Sequence, residues 1–138
     1  RSRGWEIYPR IIYDMAMRIK NEYRNIDWFV AESGMGVENE AHFRGPDGII
    51  NDDYRIAFIA EHLRQTLLAV RDGANCHGYM LWAFTDNVSP MNAFKNRYGL
   101  IEIDLQNNRA RRVKKSASWF RQLRDRRELT LTIDDEWK

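Results

Sequence analysis

Cysteine is nearly absent. Cys76 is the only one in 138 residues, so no disulfide can close within the chain. That fits a reducing cytoplasm, the expected location, and Cys76 lies in an apolar run that reads as core. Histidine is scarce as well. His42, His62 and His77 share no ligand spacing with one another or with Cys76, so neither a metal site nor a cofactor is expected. No apolar run approaches the roughly 18–20 residues that a membrane span needs, and no membrane association is expected. An initiator Met is missing, as is a basic segment leading into an apolar run. The chain opens at Arg1 and already looks structured by Trp5, as expected of a segment cut from a longer protein.

What is present is a balanced composition. Apolar residues make up 43% and charged residues 30%, with a net charge of +2, the profile of a globular chain rather than a disordered one. Positive charge gathers at Arg109, Arg111, Arg112, Lys114 and Lys115, then at Arg121, Arg124, Arg126 and Arg127. Such a cluster can attract polyanions, but a solvated helix face and hairpin edge explain it as well. Asp134, Asp135 and Glu136 close the chain, and no nucleic-acid partner is expected.

Pro9 opens a helical pattern, with Ile12, Met15, Ile19 and Tyr23 recurring at steps of three and four until Asn25 breaks it. Trp28–Ala31 is a short apolar run of the kind covered on both faces. Residues 33–50 carry turn chemistry, Ser33-Gly34-Met35-Gly36 and Arg44-Gly45-Pro46-Asp47-Gly48, and read as one long loop. Asn51 or Asp52 can cap a second helix, whose stripe is Ile56, Ile59, Leu63, Leu67 and Val70 and whose stop is Gly73. A second buried strand runs from about Cys76 to Ala83. A hairpin joins Tyr98–Leu105 to Asn108–Arg112 around Gln106-Asn107. A last helix spans Ser116–Arg126, and Leu129–Ile133 reads as a further strand. Buried strands separated by helices imply a parallel sheet in an α/β fold.

Glu32 ends the first buried strand. In parallel α/β folds active sites form where the carboxyl ends of strands and their loops converge. A carboxylate there can face a substrate, or it can be a loop ligand or salt-bridge partner. Trp82 ends the second strand, with Asp86 four residues on. An aromatic face beside a carboxylate suits a sugar, though a core Trp with a loop Asp fits equally. The following loop holds Ser89, Lys95, Arg97 and Tyr98, a set of hydroxyls and cations able to grip a phosphate.

Taken in order, these segments resemble glycoside hydrolase family 1, the retaining β-glycosidases on a TIM (β/α)8 barrel. Trp5-Glu6-Ile7-Tyr8-Pro9 is similar to the family's W-x-I-x-P. Phe29-Val30-Ala31-Glu32-Ser33-Gly34-Met35-Gly36 is similar to its I-T-E-N-G segment. Asp53-Tyr54-Arg55-Ile56 matches the helix start that follows. Gly78-Tyr79-Met80-Leu81-Trp82 with Thr85-Asp86-Asn87 matches G-Y-x-x-W-S-x-x-D-N. Arg97-Tyr98-Gly99-Leu100 and Lys115-Ser116-Ala117-Ser118-Trp119-Phe120 match the closing segments, and the resemblance runs collinearly over about residues 4–123.

The resemblance implies the carboxy-terminal portion of a barrel: about strands seven and eight, helices six to eight and a β-hairpin. Residues 1–138 would form a single partial domain with 127–138 as a tail. It implies Glu32 as nucleophile and Trp82 as the ring under the sugar. Ordinary β-glucosidases carry Glu-Trp where this chain has Ser89-Pro90. Losing that Glu removes a charge that would repel phosphate, and Ser89 with Lys95 and Tyr98 resembles the 6-phospho-β-glycosidase branch. Three departures stand out. Ser33 replaces the usual Asn beside the nucleophile. Lys95 lies three residues before Tyr98 where two is usual, so the phosphate cation could be Lys95 or Arg97. Pro90 replaces a Trp common in phospho-galactosidases, which points toward 6-phospho-β-glucosides.

A retaining glycosidase needs two carboxyls about 5–5.5 Å apart, a nucleophile and an acid/base. The family's acid/base lies in an N-E-P motif, and no N-E-P occurs here. The expectation is a full-length parent that hydrolyses 6-phospho-β-glucosides or the corresponding disaccharides with retention. This chain would supply the nucleophile and phosphate site and be inactive alone. Its exposed strand edges would pair with the remainder of the barrel or with copies of themselves. The alternative is a non-catalytic sugar-phosphate-binding or structural fragment that oligomerises.

Overall fold

The computed structural model describes residues 5–129. In chain order these form helix α1 (Arg10–Glu22), strand β1 (Trp28–Ser33), the short strand β2 (Val37–Glu38), a 3₁₀ turn (Glu40–Phe43), helix α2 (Asp53–Arg71), strand β3 (Cys76–Leu81), the short strand β4 (Asn96–Arg97), strands β5 (Ile101–Asp104) and β6 (Ala110–Val113), and helix α3 (Lys115–Arg126). The strand expected over Leu129–Ile133 lies, beyond Leu129, outside the described residues.

β1 and β3 pair in parallel, with Trp28 opposite Cys76, Val30 opposite Tyr79 and Ser33 opposite Leu81. α2 is the crossover between them, as a parallel connection requires. Among the described residues the two strands pair only with each other. β2 pairs antiparallel with β4, and β5 with β6.

The helix contact is built on small residues. Ala16 of α1, Ala69 of α2 and Ala74 form the buried cluster, with Tyr13, Met17 and Trp28 packed around it. Alanine lets the helix backbones approach, and polar groups close the margins: Tyr13 Oη donates to Asp72 Oδ2 at 2.8 Å and Lys20 Nζ to the Asp72 carbonyl at 2.5 Å. The stripe expected to be buried, Ile12-Met15-Ile19-Tyr23, is therefore rotated from the one that is. Met15 and Tyr23 are exposed. α2 behaves alike: Ile59 is buried, but Leu67 and Val70 are exposed, while Arg55, His62, Gln65 and Thr66 are buried. Apolar periodicity finds a helix; it cannot choose between two faces when one alanine face packs and a larger apolar face stays open.

Both stops appear where expected. Arg24 and Asn25 turn left-handed after α1, and the Asn25 side chain ties that end to Gly73 and Asn75. Gly73, at φ 93°, ends α2. Asp52 precedes α2 without capping it; its carboxylate binds Arg55 and Ser116 instead.

Three other expectations need correction. The strands are not covered on both faces: Phe29 is 57% exposed and Met80 52%, because no layer among the described residues lies over that side, and Cys76 is only half-buried. Residues 33–50 are not one irregular loop. They hold β2, the 3₁₀ turn and an Arg44–Ile50 bridge closed around left-handed Gly48, and Arg44 makes a two-point contact with Glu102 of β5. The hairpin is shorter than its apolar pattern, because Asp104 accepts from Gln106 N and the turn needs left-handed Asn108 and Arg109. The basic cluster lies on β6 and α3, where Arg112 pairs with Asp104 and Lys115 with Asp53. No helix among the described residues is long and apolar enough to cross a membrane.

Candidate active site

β1 and β3 bring their carboxyl ends side by side, and the site grows from that register. Glu32 is the next-to-last residue of β1 and is exposed. Among the described residues its carboxylate has no hydrogen bond or ion pair. The carboxylate stands near the end of a paired strand, on its exposed part. Its neighbour Ser33 is fixed: Tyr79 Oη on β3 donates to Ser33 Oγ at 2.6 Å. Burial pushes the Tyr79 phenol up to about 12, although the bond to Ser33 pulls the other way. At neutral pH the phenol keeps its proton and can donate that bond.

Trp82 follows β3 directly, its N–H donating to the Ser33 carbonyl at 2.8 Å. Its ring is 42% exposed, so it is not a core Trp, and the Trp82–Ala83 peptide is cis. Gly34 makes this approach feasible. A Cβ there would lie 1.7 Å from the Trp82 carbonyl oxygen, so only glycine fits between the two strand ends. Glu32 and Trp82 thus sit on adjacent strand termini.

Asp86 does not join them. It is 4% exposed and its carboxylate accepts from Gly99 N at 3.0 Å, Ile103 N at 3.2 Å and Lys114 Nζ at 3.0 Å. Asp86 is thus the inward-tied loop carboxylate of one reading, whereas the exposed Trp82 is not the core residue that reading paired with it.

The loop between β3 and β5 carries the remaining candidates. Ser89 and Ala93 exchange backbone hydrogen bonds in a tight reversal, and Ser89 Oγ accepts from Met91 N at 3.3 Å. Lys95 is largely exposed, with Nζ 3.4 Å from Glu38 Oε1. Asn96 is fully buried, with the Asn92 amide hydrogen-bonded to it. Arg97 is turned inward, donating to Asp86 at 3.4 Å and to the Ile103 carbonyl at 3.1 Å. The Tyr98 ring lies over Gly36, where a Cβ would be 2.6 Å from it.

Behind this surface lies a buried network that sequence reasoning missed. Arg55, 2% exposed, pairs with Glu40 and with Asp52 Oδ2 at 3.0 Å. It also donates to the carbonyls of Met35 (2.7 Å), Tyr98 (3.0 Å) and Arg97 (3.1 Å). Lys114 is buried between Glu40 and Asp86. Three carboxylates, Glu40, Asp52 and Asp86, meet three cations, Arg55, Lys114 and Arg97, so the cluster closes neutral. Arg55 thereby clamps the loop after Glu32 to the loop bearing Tyr98. The one available signal was Asp52 and Arg55 at i,i+3, hidden in a segment read only as a helix start.

Two grooves flank the sheet, and neither is lined by Glu32 or Trp82. One, of about 360 Å³, runs under Tyr98 between Trp5, Met35, Phe58 and His62. The other, of about 590 Å³, lies along β3 and α3. Glu32 and Trp82 are both exposed. Among the described residues no three of His, Cys, Asp and Glu gather as a metal's ligands would.

Comparison with known proteins gives the surface its context. The glycosyl hydrolase family 1 model matches residues 1–129. The 6-phospho-beta-glucosidase GmuD of Bacillus subtilis is 50% identical over 121 residues, covering 88% of this chain and 26% of that protein. A 6-phospho-beta-galactosidase of Staphylococcus aureus is 36% identical over 126 residues, covering 91% and 26%. The chain therefore spans about a quarter of the length of the curated relatives it matches. Among solved structures, the family 1 β-glucosidase of Thermotoga maritima superposes with a TM-score of 0.85 at 26% identity, covering 95% of this chain and 29% of that one. The same enzyme in complex with isofagomine lactam gives 0.83 at 28% identity. These neighbours are TIM barrels, of which the present chain is a partial α/β segment. With motifs, fold and family match in agreement, the chain belongs to glycosyl hydrolase family 1.

Proposed function

We propose that these residues are the carboxy-terminal portion of a (β/α)8 barrel, with β1 and β3 as its seventh and eighth strands, and that the assembled barrel hydrolyses 6-phospho-β-glucosides with retention in the cytoplasm. The observation that carries the chemistry is an exposed Glu32, whose carboxylate has no partner among the described residues, on a strand terminus adjacent to the one that ends in the exposed Trp82. Glu32 attacks the anomeric carbon and forms a glycosyl ester as the leaving oxygen departs. A second carboxyl protonates that oxygen, then takes a proton from the water that cleaves the ester. Trp82 supplies the apolar floor for the sugar ring.

Ser89, Lys95 and Tyr98 grip the 6-phosphate. Lys95 rather than Arg97 is the cation, because Arg97 is 22% exposed and bound to Asp86 and the Ile103 carbonyl, whereas Lys95 is 66% exposed with one weak contact. The greater likeness to a phospho-glucosidase (50%) than to a phospho-galactosidase (36%) supports the gluco preference. By themselves the 138 residues bring no N-E-P acid/base and are inactive. The outer edges of β1 and β3, unpaired among the described residues, and the groove beside β3 lined by Tyr79, Met80, Phe84 and Phe120, offer the seat for the rest of the barrel.

Assay of the purified chain on an aryl 6-phospho-β-glucoside is expected to give no turnover. Turnover abolished by Glu32→Gln would mean a substitute acid exists and would overturn the inactivity. Within a complete barrel, Glu32→Gln should lower kcat by roughly 10⁴-fold or more, as loss of a covalent nucleophile does. Equal activity there on unphosphorylated glucosides would sink the phosphate reading. The exposed apolar strand faces favour a second reading, a non-catalytic phosphosugar-binding fragment that oligomerises. Phosphosugar binding that survives Glu32→Ala, with a concentration-dependent mass, would support it.

A further inference from the structure

We propose that Glu38 tunes the phosphate site by holding the Lys95 ammonium at rest and surrendering it to an arriving 6-phosphate. The proposal rests on the phosphate reading above. β2 and β4 place the two groups together: Glu38 lies opposite Asn96, and Lys95 immediately precedes Asn96. Lys95 Nζ is 3.4 Å from Glu38 Oε1, with 66% and 43% of the two side chains exposed.

The neighbouring charges cannot play either part. Among the described residues the other cations of the adjoining cluster are Arg55, Arg97 and Lys114, and each is held by Glu40, Asp52 or Asp86. Its carboxylates are Glu40, Asp52 and Asp86, each buried and paired with cations. Glu38 is thus the carboxylate beside the loop whose charge faces water, and its long contact with Lys95 is the weak, screened kind that a stronger anion can break. A phosphate monoester carries about −1.5 to −2 at neutral pH against −1 for a carboxylate, so the ammonium gains by the exchange. A neutral sugar offers Lys95 nothing for which to leave Glu38. Glu38 therefore lowers the affinity for phosphosugar and leaves that for a neutral sugar unchanged.

The test is titration of the 138-residue chain with glucose 6-phosphate, and with glucose as control, for the native chain, Glu38→Gln, Lys95→Met and the double variant. Glu38→Gln should tighten glucose 6-phosphate about two- to five-fold, the scale of an exposed ion pair, and leave glucose unchanged. Lys95→Met should weaken glucose 6-phosphate and erase the gain in the double variant. No tightening in Glu38→Gln, while Lys95→Met still weakens binding, overturns the role of Glu38 and leaves the phosphate reading standing. A gain that persists without Lys95 means simple repulsion and overturns the exchange. If Lys95→Met changes nothing and glucose 6-phosphate binds no better than glucose, the phosphate reading falls and the proposal with it.

Discussion

At the scale of single residues, the strongest forces near the site act behind it. Arg55 pairs with Glu40 and Asp52 and donates to three carbonyls of the loops that carry the candidate site residues. Tyr54 adds a 2.6 Å bond to Glu40, and burial, then that bond, hold its phenol far above the ordinary value, so it remains a donor at any working pH. Removing one member of a buried ion pair strands the other's charge and costs about 3–5 kcal/mol. Arg55→Met is thus expected to lower the urea midpoint by an amount on that scale, measured by far-UV circular dichroism. Arg55→Lys should fall between, since an ammonium keeps the charge but cannot reach five acceptors at once. A midpoint unchanged in Arg55→Met would show that the cluster contributes nothing net to stability.

At the scale of elements, α2 does two jobs: it crosses over between the parallel strands and it presents Arg55 and His62 inward. His62 is 6% exposed, its Nδ1 is 2.7 Å from the Phe58 carbonyl, and its ring stacks on Phe58 with centroids 4.0 Å apart. Burial pushes the imidazole below its ordinary value of 6.5, outweighing the Phe58 carbonyl and Glu61, which pull it up. The sign follows from proton counts. Below pH 6.5 the unfolded chain takes up a proton at His62 before the folded chain does, so stability present above 6.5 is lost as pH falls from there toward the folded value. Urea midpoints should therefore drop between pH 7.5 and 5.5, and His62→Gln should flatten that drop. An identical slope in the variant would place the pH dependence elsewhere.

At the scale of the whole molecule, the described residues form one side of something larger. The buried apolar residues are few, and several of them are alanines, while Phe29, Met80, Phe84 and Met91 are exposed. Among the described residues no strand pairs with the outer edge of either β1 or β3, and such an edge presents unpaired N–H and C=O groups to any strand that can reach it. The isolated chain is expected to self-associate through these edges. Sedimentation velocity should show a mass that rises with concentration, and Lys substituted for Phe29 and Met80 should suppress it. A concentration-independent monomer would show that the edges are protected in a way the open strand faces do not suggest.

Local chemistry and short motifs were enough to read the order of the three helices, the two parallel strands and the hairpin, both helix stops and the family, while β2, the 3₁₀ turn and β4 went unread because their short segments carry no periodicity. The sequence by itself also singled out Glu32 and Trp82, which the fold brings to adjacent strand ends. Only the tertiary structure decided which helix faces are buried, that Asp86 belongs to a buried ion cluster rather than to a sugar, and that Lys95 faces water while Asn96 and Arg97 turn inward. Those outcomes depend on partners far apart in the chain, such as Lys114 with Glu40 or Ser116 with Asp52, and on which surfaces lack a covering layer. A charge or an apolar stripe looks the same in sequence whether its partner arrives from across the fold or not at all.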